Sequence, residues 1–191
     1  MPSPARADQV PARRRMRPKT RRLVLVVHVI VSVGALGLYL GLLTLAITGL
    51  TTDDPETLRT AYLAMGIFRD ALIIPINLAV LASGLVLALG TPWGLLRHYW
   101  VLIKFVLTLG LATASTFGLR ARIAEAIDNL PVVPTSAPDV GTVGILLVVL
   151  LPIALGIYVT TTVLAIYKPW GMTRRARRSH QAAESGGGRR A

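Results

Sequence analysis

The sequence predicts an all-α protein, a bundle of four transmembrane helices with both termini in the cytoplasm. Hydrophobic residues make up 53% of the 191-residue chain and charged residues only 16%, far from the composition of an average soluble domain. The apolar residues form four runs, each able to supply the roughly 20 residues that a helix needs to cross the hydrocarbon. The basic residues, in turn, lie mostly on one side of these runs, which predicts the orientation.

The predicted membrane domain covers residues 21–172, between basic tails at 1–20 and 173–191 that lack a hydrophobic period and are expected to be disordered. Backbone groups in lipid must be hydrogen-bonded within their own segment, so each apolar run is predicted to be helical. The four spans are expected at about 23–49, 61–90, 99–118 and 142–167. The first run is longer than the apolar part of a signal peptide, which favours a retained helix over cleavage.

The segments between the spans add detail to this prediction. In the loop 51–60, Asp54 is expected to cap a helix whose first position is Pro55. Span 2 is expected to end near Gly90 and to be kinked by the proline inside it, Pro75. After span 3, residues 119–130 keep an apolar period of four and are expected either to extend the helix outward or to lie on the membrane surface.

The positions of the charges predict the topology. Residues 1–22 carry eight Lys or Arg, the chain after Tyr167 carries seven, and the loop 91–98 carries Arg97. The other two loops carry Arg59, Arg120 and Arg122 beside six acidic residues. By the positive-inside rule, the termini and the loop 91–98 face the cytoplasm, and the protein is expected to be a multi-pass protein of the plasma membrane. The basic tails are expected to contact anionic lipids of the inner leaflet, whereas no motif-bearing domain accompanies the charge to indicate nucleic acid.

The tripeptide PWG occurs twice, in TPWGLLRH (91–98) and KPWGMTRR (168–175), each time after an apolar run. With a shift of 77 residues the two copies coincide, and Pro75 in span 2 falls on Pro152 in span 4. A shift of 76 places His28 of span 1 on Lys104 of span 3. These matches predict a tandem repeat of two parallel helical hairpins about an axis along the membrane normal. Coincidence between two similar interfacial turns is the alternative.

The candidate interface anchors include both PWG copies, because Trp and Arg are favoured at the headgroup level. Arg69 and Asp70 are assigned to the opposite, outer boundary; being adjacent, they are not expected to face each other on a helix. The full set of predicted anchors is Trp93, Arg97, Trp170, Arg174, Arg69 and Asp70.

Three polar residues are predicted to lie inside the spans, where ionisable groups are expensive and often functional. They are His28, Lys104 and Asn77. Each also has a purely structural interpretation: a neutral histidine bonded to a neighbouring span, a lysine extended to the interface, and an interhelical amide. Pairing of His28 with His98 as haem ligands is a further alternative, although the two differ by about six helical positions in depth.

Small residues form a stripe on span 1 (Gly34, Gly37 and Gly41) and on span 3 (Gly110, Ala114 and Gly118). Such stripes allow close approach of helices, so span 1 is expected either to pack on span 3 or to mediate a homodimer. No catalytic motif is present, no metal or cofactor site is predicted, and the chain has no cysteine. The sequence therefore predicts that the protein is not an enzyme.

The segments RRLVLVVHVIVSVGALGL and LASGLVLALGTPWGLLRHYWVLIKFVLT and the terminal KPWG-x-x-RR resemble a family of small four-span integral membrane proteins of actinobacteria whose function is unknown. The resemblance covers residues 21–178. It implies the same fold and location, and it implies no activity and no catalytic residues. A more distant similarity links the chain to copper-resistance-type membrane domains, which also carry a histidine in an apolar span.

Three functions are compatible with these patterns. The first is a non-enzymatic structural or accessory subunit of the membrane, with a second copy or another membrane protein as partner. The second is a small transporter or ion-coupled carrier that uses His28, Lys104 and Asn77. The third is a redox subunit that binds haem or quinone.

Overall fold

The computed structural model describes residues 16–90, 98–130 and 141–167, and they form four long helices. The helices are α1 (Pro18–Thr51), α2 (Pro55–Gly90), α3 (Tyr99–Asp128) and α4 (Gly141–Tyr167). All four are long and apolar enough to cross a membrane, so the predicted all-α bundle of four spans is confirmed. The predicted repeat and the orientation of the termini stay predictions.

The helices extend beyond the predicted spans at the ends where polar residues continue the helical pattern. The first helix begins at Pro18, in the basic segment that the sequence assigns to the N-terminal tail. The second begins at Pro55, as the capping pattern predicts. The third continues to Asp128, so the predicted helical extension after span 3 is present. Apolar runs alone therefore underestimate the helices, because polar ends can remain helical outside the hydrocarbon.

The start of α2 shows why the chain turns there. The Asp54 carboxylate accepts hydrogen bonds from the backbone N–H groups of Glu56 and Thr57, at 3.4 and 2.9 Å, and from the Thr57 hydroxyl. The bonds from Thr57 hold the pKa of Asp54 below its usual range. A lowered pKa means that this cap stabilises the helix above the unfolded-state pKa and is lost as the pH falls through the folded-state value.

Two of the four helices contain a π-helical turn. In α2 the turn covers Arg69–Ile73 and ends just before Pro75; in α3 it covers Ala114–Leu119. Proline lacks an N–H group and its ring crowds the carbonyl of the preceding turn, which a local π turn can accommodate. The fourth helix, in contrast, stays α-helical through Pro152. The two prolines that the repeat aligns thus have different local structures.

The helices form a four-membered bundle in which each helix packs against two neighbours. α1 lies against α2 and α4, and α3 lies against the same two helices, so α1 and α3 occupy opposite corners. The expectation that the glycine stripe of span 1 packs on span 3 is therefore wrong. A Cβ atom added at Gly34, Gly37 or Gly41 would meet no other atom within 4 Å, so none of these glycines lies at a close contact between helices. Whether they mediate a dimer stays a prediction.

The core is not distributed evenly along the bundle. The first buried residue of α1 is Ala35, more than halfway from the start of the helix to Thr51. Before it, large apolar side chains are widely exposed, with Leu23 and Ile30 each at 64%. The largest fully buried side chains are Tyr39, Tyr62, Leu42, Met65, Ile73, Ile123, Leu147 and Leu151. The bundle is thus tightly packed at the predicted outer end, while the side chains of α1 are largely exposed at the predicted cytoplasmic end.

Candidate functional site

Polar side chains inside the bundle gather in two places. The first we call the central polar cluster, which consists of Tyr39, Asn77, Ser115, Thr116 and Tyr158. The second we call the inner cavity, which lies nearer to the start of α1 and α3 and contains His28 and Lys104. Asn77 is six residues before Ser83, the residue that binds His28, which corresponds to about 9 Å along a helix. The structure therefore brings His28 and Lys104 together and places Asn77 in a separate site.

The central polar cluster is held together by hydrogen bonds between side chains of three helices. The Asn77 amide nitrogen donates to the Ser115 hydroxyl at 2.8 Å and, less closely, to Thr116 at 3.4 Å. The Tyr39 hydroxyl approaches the Asn77 amide oxygen at 3.5 Å. Both Ser115 and Thr116 belong to the π turn of α3. One buried amide thereby links α1, α2 and α3, and a tilted contact between the rings of Tyr39 and Tyr158, at 5.3 Å, adds α4.

His28 is held to α2 by Ser83. The Nδ1 atom of His28 lies 2.8 Å from the Ser83 hydroxyl oxygen, and that oxygen lies 2.6 Å from the backbone carbonyl of Ala79. A serine hydroxyl has one hydrogen, and the carbonyl can only accept, so we infer that the hydrogen points to Ala79. Nδ1 then donates to Ser83, and Nε2 carries the lone pair of a neutral imidazole. Nε2 is therefore the ring nitrogen that could accept a proton or bind a ligand.

The inner cavity has a volume of about 330 Å³, and all four helices contribute to its lining. Its walls are mainly apolar, with Leu25, Val80, Leu81 and Phe105 among them. Three basic residues line it: Arg21 and His28 on α1 and Lys104 on α3. No carboxylate is among the lining residues in the part of the chain that the structure describes. The cavity thus combines an apolar interior with an excess of positive charge.

Lys104 brings an ammonium group into the inner cavity. Its side chain is half-buried, and its ammonium makes no hydrogen bond or ion pair with the residues that the structure describes. An ammonium group can donate three hydrogen bonds, and burying it without a partner is unfavourable. The arrangement around Lys104 is therefore suited to an anion that the chain itself does not supply.

The adjacent pair Arg69 and Asp70 departs from expectation. The sequence predicts that the two side chains do not face each other, yet Arg69 Nε and Nη2 donate to the two carboxylate oxygens of Asp70, each at 2.9 Å. Arg120 Nη2 approaches the same carboxylate at 3.4 Å and joins α3 to α2. The prediction assumed that both side chains point straight outward from a regular helix. The long, flexible arginine side chain instead reaches the carboxylate of the next residue at the start of the π turn.

Four predicted anchors, Trp93, Arg97, Trp170 and Arg174, lie outside the described residues. His98 lies at the start of α3, with its ring centroid 6.4 Å from that of Trp100. It is not among the residues that line the inner cavity, whereas Trp100 is. The structure therefore places His98 beside the cavity wall and does not bring it together with His28 in one site.

Sequence reasoning missed the partners of the polar residues. Ser83 is 55 positions from His28, and Ser115 is 38 positions from Asn77. Hydroxyl residues in apolar spans often bond their own helix, as Thr160 does with the carbonyl of Gly156. The sequence did indicate that Ser83 and His28 lie at a similar depth in the membrane, because Ser83 follows the middle of span 2 and His28 lies near the start of span 1. Depth alone does not say which face a hydroxyl occupies.

No protein-family model, no curated protein and no solved structure matches this chain. The resemblance to the actinobacterial four-span family thus stays a prediction, and function must be argued from the geometry of the bundle.

Proposed function

We propose that this protein is a non-enzymatic accessory subunit of the membrane that holds a membrane-derived amphiphile in its inner cavity. The observation that carries the proposal is the cavity itself, about 330 Å³ with apolar walls and a few basic side chains. Small-molecule sites have this character and a volume of roughly 300–1,000 Å³. The inner cavity lies at the lower end of that range. The exposed apolar surface of α1 beside the cavity supports entry from the lipid phase, since Leu25 is both exposed and part of the lining.

The carrier that the sequence offers as an alternative would use the same cavity. In its favour, His28 and Lys104 line one space. Against it, the third proposed member, Asn77, is engaged with Ser115 in the central polar cluster. That cluster joins the helices where they are most tightly packed, which suits a fixed tie between helices better than a step in a translocation path. The geometry therefore supports binding more directly than transport.

Filling the cavity tests the proposed function. A Cβ atom at Gly84 would lie 3.3 Å from Cε1 of His28, so the longer side chain of Gly84→Leu must occupy the cavity. We expect the wild-type protein, purified in a mild detergent, to retain about one amphiphile per chain in native mass spectrometry, and Gly84→Leu to lose it.

Gly156→Leu is the matched control, because a Cβ atom at Gly156 meets nothing within 4 Å and the residue is exposed on α4. It should retain the ligand. A wild-type protein that carries no more amphiphile than Gly84→Leu, or an equal loss in Gly156→Leu, would contradict the proposal.

A further inference from the structure

We propose that the ligand of the inner cavity is an anionic phospholipid, whose phosphate is bound by Arg21 and Lys104; this inference rests on the proposed function. The two basic side chains come from different helices, α1 and α3, and line the same space. A site of this kind recognises the phosphate of a lipid headgroup through charge-assisted hydrogen bonds, while the acyl chains stay in the bilayer.

The charge of the lining selects the ligand class. Arg21, His28 and Lys104 are the ionisable residues of the lining, and all three are bases. With no carboxylate among the lining residues described, a cationic headgroup would find no counter-charge, and a zwitterionic one would leave its ammonium unpaired. An anionic headgroup instead supplies the partner that the Lys104 ammonium lacks among the described residues.

The direction of the helices adds to this selection. α1 begins at Pro18, three residues before Arg21, and α3 begins at Tyr99, five residues before Lys104. Both helices thus direct their N-terminal ends, which carry partial positive charge, toward the end of the bundle where the cavity lies. By the predicted topology this end is in the cytoplasmic leaflet, where anionic lipids are concentrated.

The shape of the bundle explains how a lipid could reach the site. The N-terminal half of α1 has no buried residue before Ala35, and its side chains Leu23, Val26 and Ile30 are at least half exposed. An acyl chain could lie along this surface while the headgroup enters beside Leu25. The cavity volume of about 330 Å³ suits a headgroup rather than a whole lipid.

The test compares two lipids with identical acyl chains, phosphatidylglycerol and phosphatidylcholine, by native mass spectrometry titration of the full chain in detergent. We expect the wild-type protein to bind phosphatidylglycerol at least tenfold more tightly. Arg21→Gln and Lys104→Gln should each lower that affinity about fivefold, the effect of losing roughly one basic residue near the headgroup. Lys104→Arg keeps the charge and should stay within about twofold of the wild type.

Arg22→Gln is the matched control for Arg21→Gln, because Arg22 is adjacent and exposed and is not among the cavity-lining residues. It should change the affinity less than about twofold. Circular dichroism and a monodisperse elution profile verify that each variant is folded.

Each remaining outcome has a defined meaning. Equal binding of both lipids that is unchanged by Arg21→Gln and Lys104→Gln overturns the inference, while the proposed function stands if Gly84→Leu still abolishes binding. Inorganic phosphate that binds in a Lys104-dependent manner, without displacement by phosphatidylglycerol, assigns the site to a soluble anion and also overturns the inference. Loss of all lipid binding in the wild type overturns the proposed function itself.

Discussion

Asn77→Leu is expected to lower the free energy of unfolding of the bundle by about 1–3 kcal/mol, the range for leaving buried hydrogen-bonding groups without their partner. Leucine has the same number and branching of side-chain heavy atoms as asparagine, so the substitution opens no void and removes the hydrogen-bonding groups. The substitution takes the donor from Ser115 and Thr116 and the acceptor from Tyr39, and both Ser115 and Tyr39 are buried. The free energy of unfolding can be measured by reversible unfolding in mixed micelles at increasing fractions of a denaturing detergent.

Thr160→Val is the matched control for this substitution. The Thr160 hydroxyl is exposed and donates to the carbonyl of Gly156 in its own helix, so its loss should cost less than about 0.5 kcal/mol. A double-mutant cycle between Asn77→Leu and Ser115→Ala should yield a coupling of about 0.6–1.7 kcal/mol, from the average to the maximum found for hydrogen bonds between membrane helices. Equal costs for Asn77→Leu and Thr160→Val would contradict the role assigned to the central polar cluster.

Gly49→Ala is the second substitution for which a large effect is expected. A Cβ atom at Gly49 would lie 2.7 Å from Cε2 and 3.1 Å from Cζ of Tyr62, closer than real contacts allow. The Tyr62 ring is fully buried and cannot move aside without displacing its neighbours. Overpacking of this kind costs about 1–3 kcal/mol. The same unfolding measurement in mixed micelles applies.

The control exploits the exposed glycines of the same helix. A Cβ atom at Gly37 meets nothing within 4 Å, so Gly37→Ala should change the stability of the isolated bundle by less than about 0.5 kcal/mol. In a Tyr62→Leu background, where a flexible side chain replaces the ring, the cost of Gly49→Ala should shrink. If Gly37→Ala proves the more harmful change, the packing described for α1 is incorrect.

The architecture was predictable because its cause is local. A run of apolar residues long enough for the hydrocarbon must be helical, whatever its neighbours, and each of the four helices satisfies that condition on its own. The start of α2 was predictable for the same reason. Asp54 reaches the N–H groups of Glu56 and Thr57 within a single turn, so the four residues 54–57 carry the whole signal.

The interhelical contacts were not predictable, because they depend on rotation and tilt. The GxxxG spacing of Gly37 and Gly41 indicates that a close approach is allowed, and the structure places the close approach at Gly49, opposite Tyr62. Likewise, the predicted group of His28, Lys104 and Asn77 is divided in the structure. His28 and Lys104 share a cavity, and Asn77 binds Ser115. A helix offers several faces at each depth, and one sequence does not say which face meets which neighbour.

The two PWG copies prompted the comparison of spans 1 and 3, in which a shift of 76 residues, one less than the shift between the copies, places His28 on Lys104. Both copies lie outside the described residues, so their role as interfacial turns stays a prediction. Their alignment nevertheless drew attention to the two residues that line the inner cavity from opposite corners of the bundle. An internal comparison of the sequence therefore indicated a site that no single motif marks.

Photo-crosslinking with an anionic lipid is the measurement that tests the central claim most directly. The full chain in nanodiscs would be irradiated with a phosphatidylglycerol that carries a diazirine near its headgroup, and the adducts would be mapped by peptide mass spectrometry. We predict adducts concentrated on the cavity-lining segments 21–28, 80–88 and 100–108, and competed away by unlabelled phosphatidylglycerol. Adducts spread over lipid-facing residues such as Val149 and Val159 in proportion to their exposure, without competition, would contradict a binding site in the inner cavity.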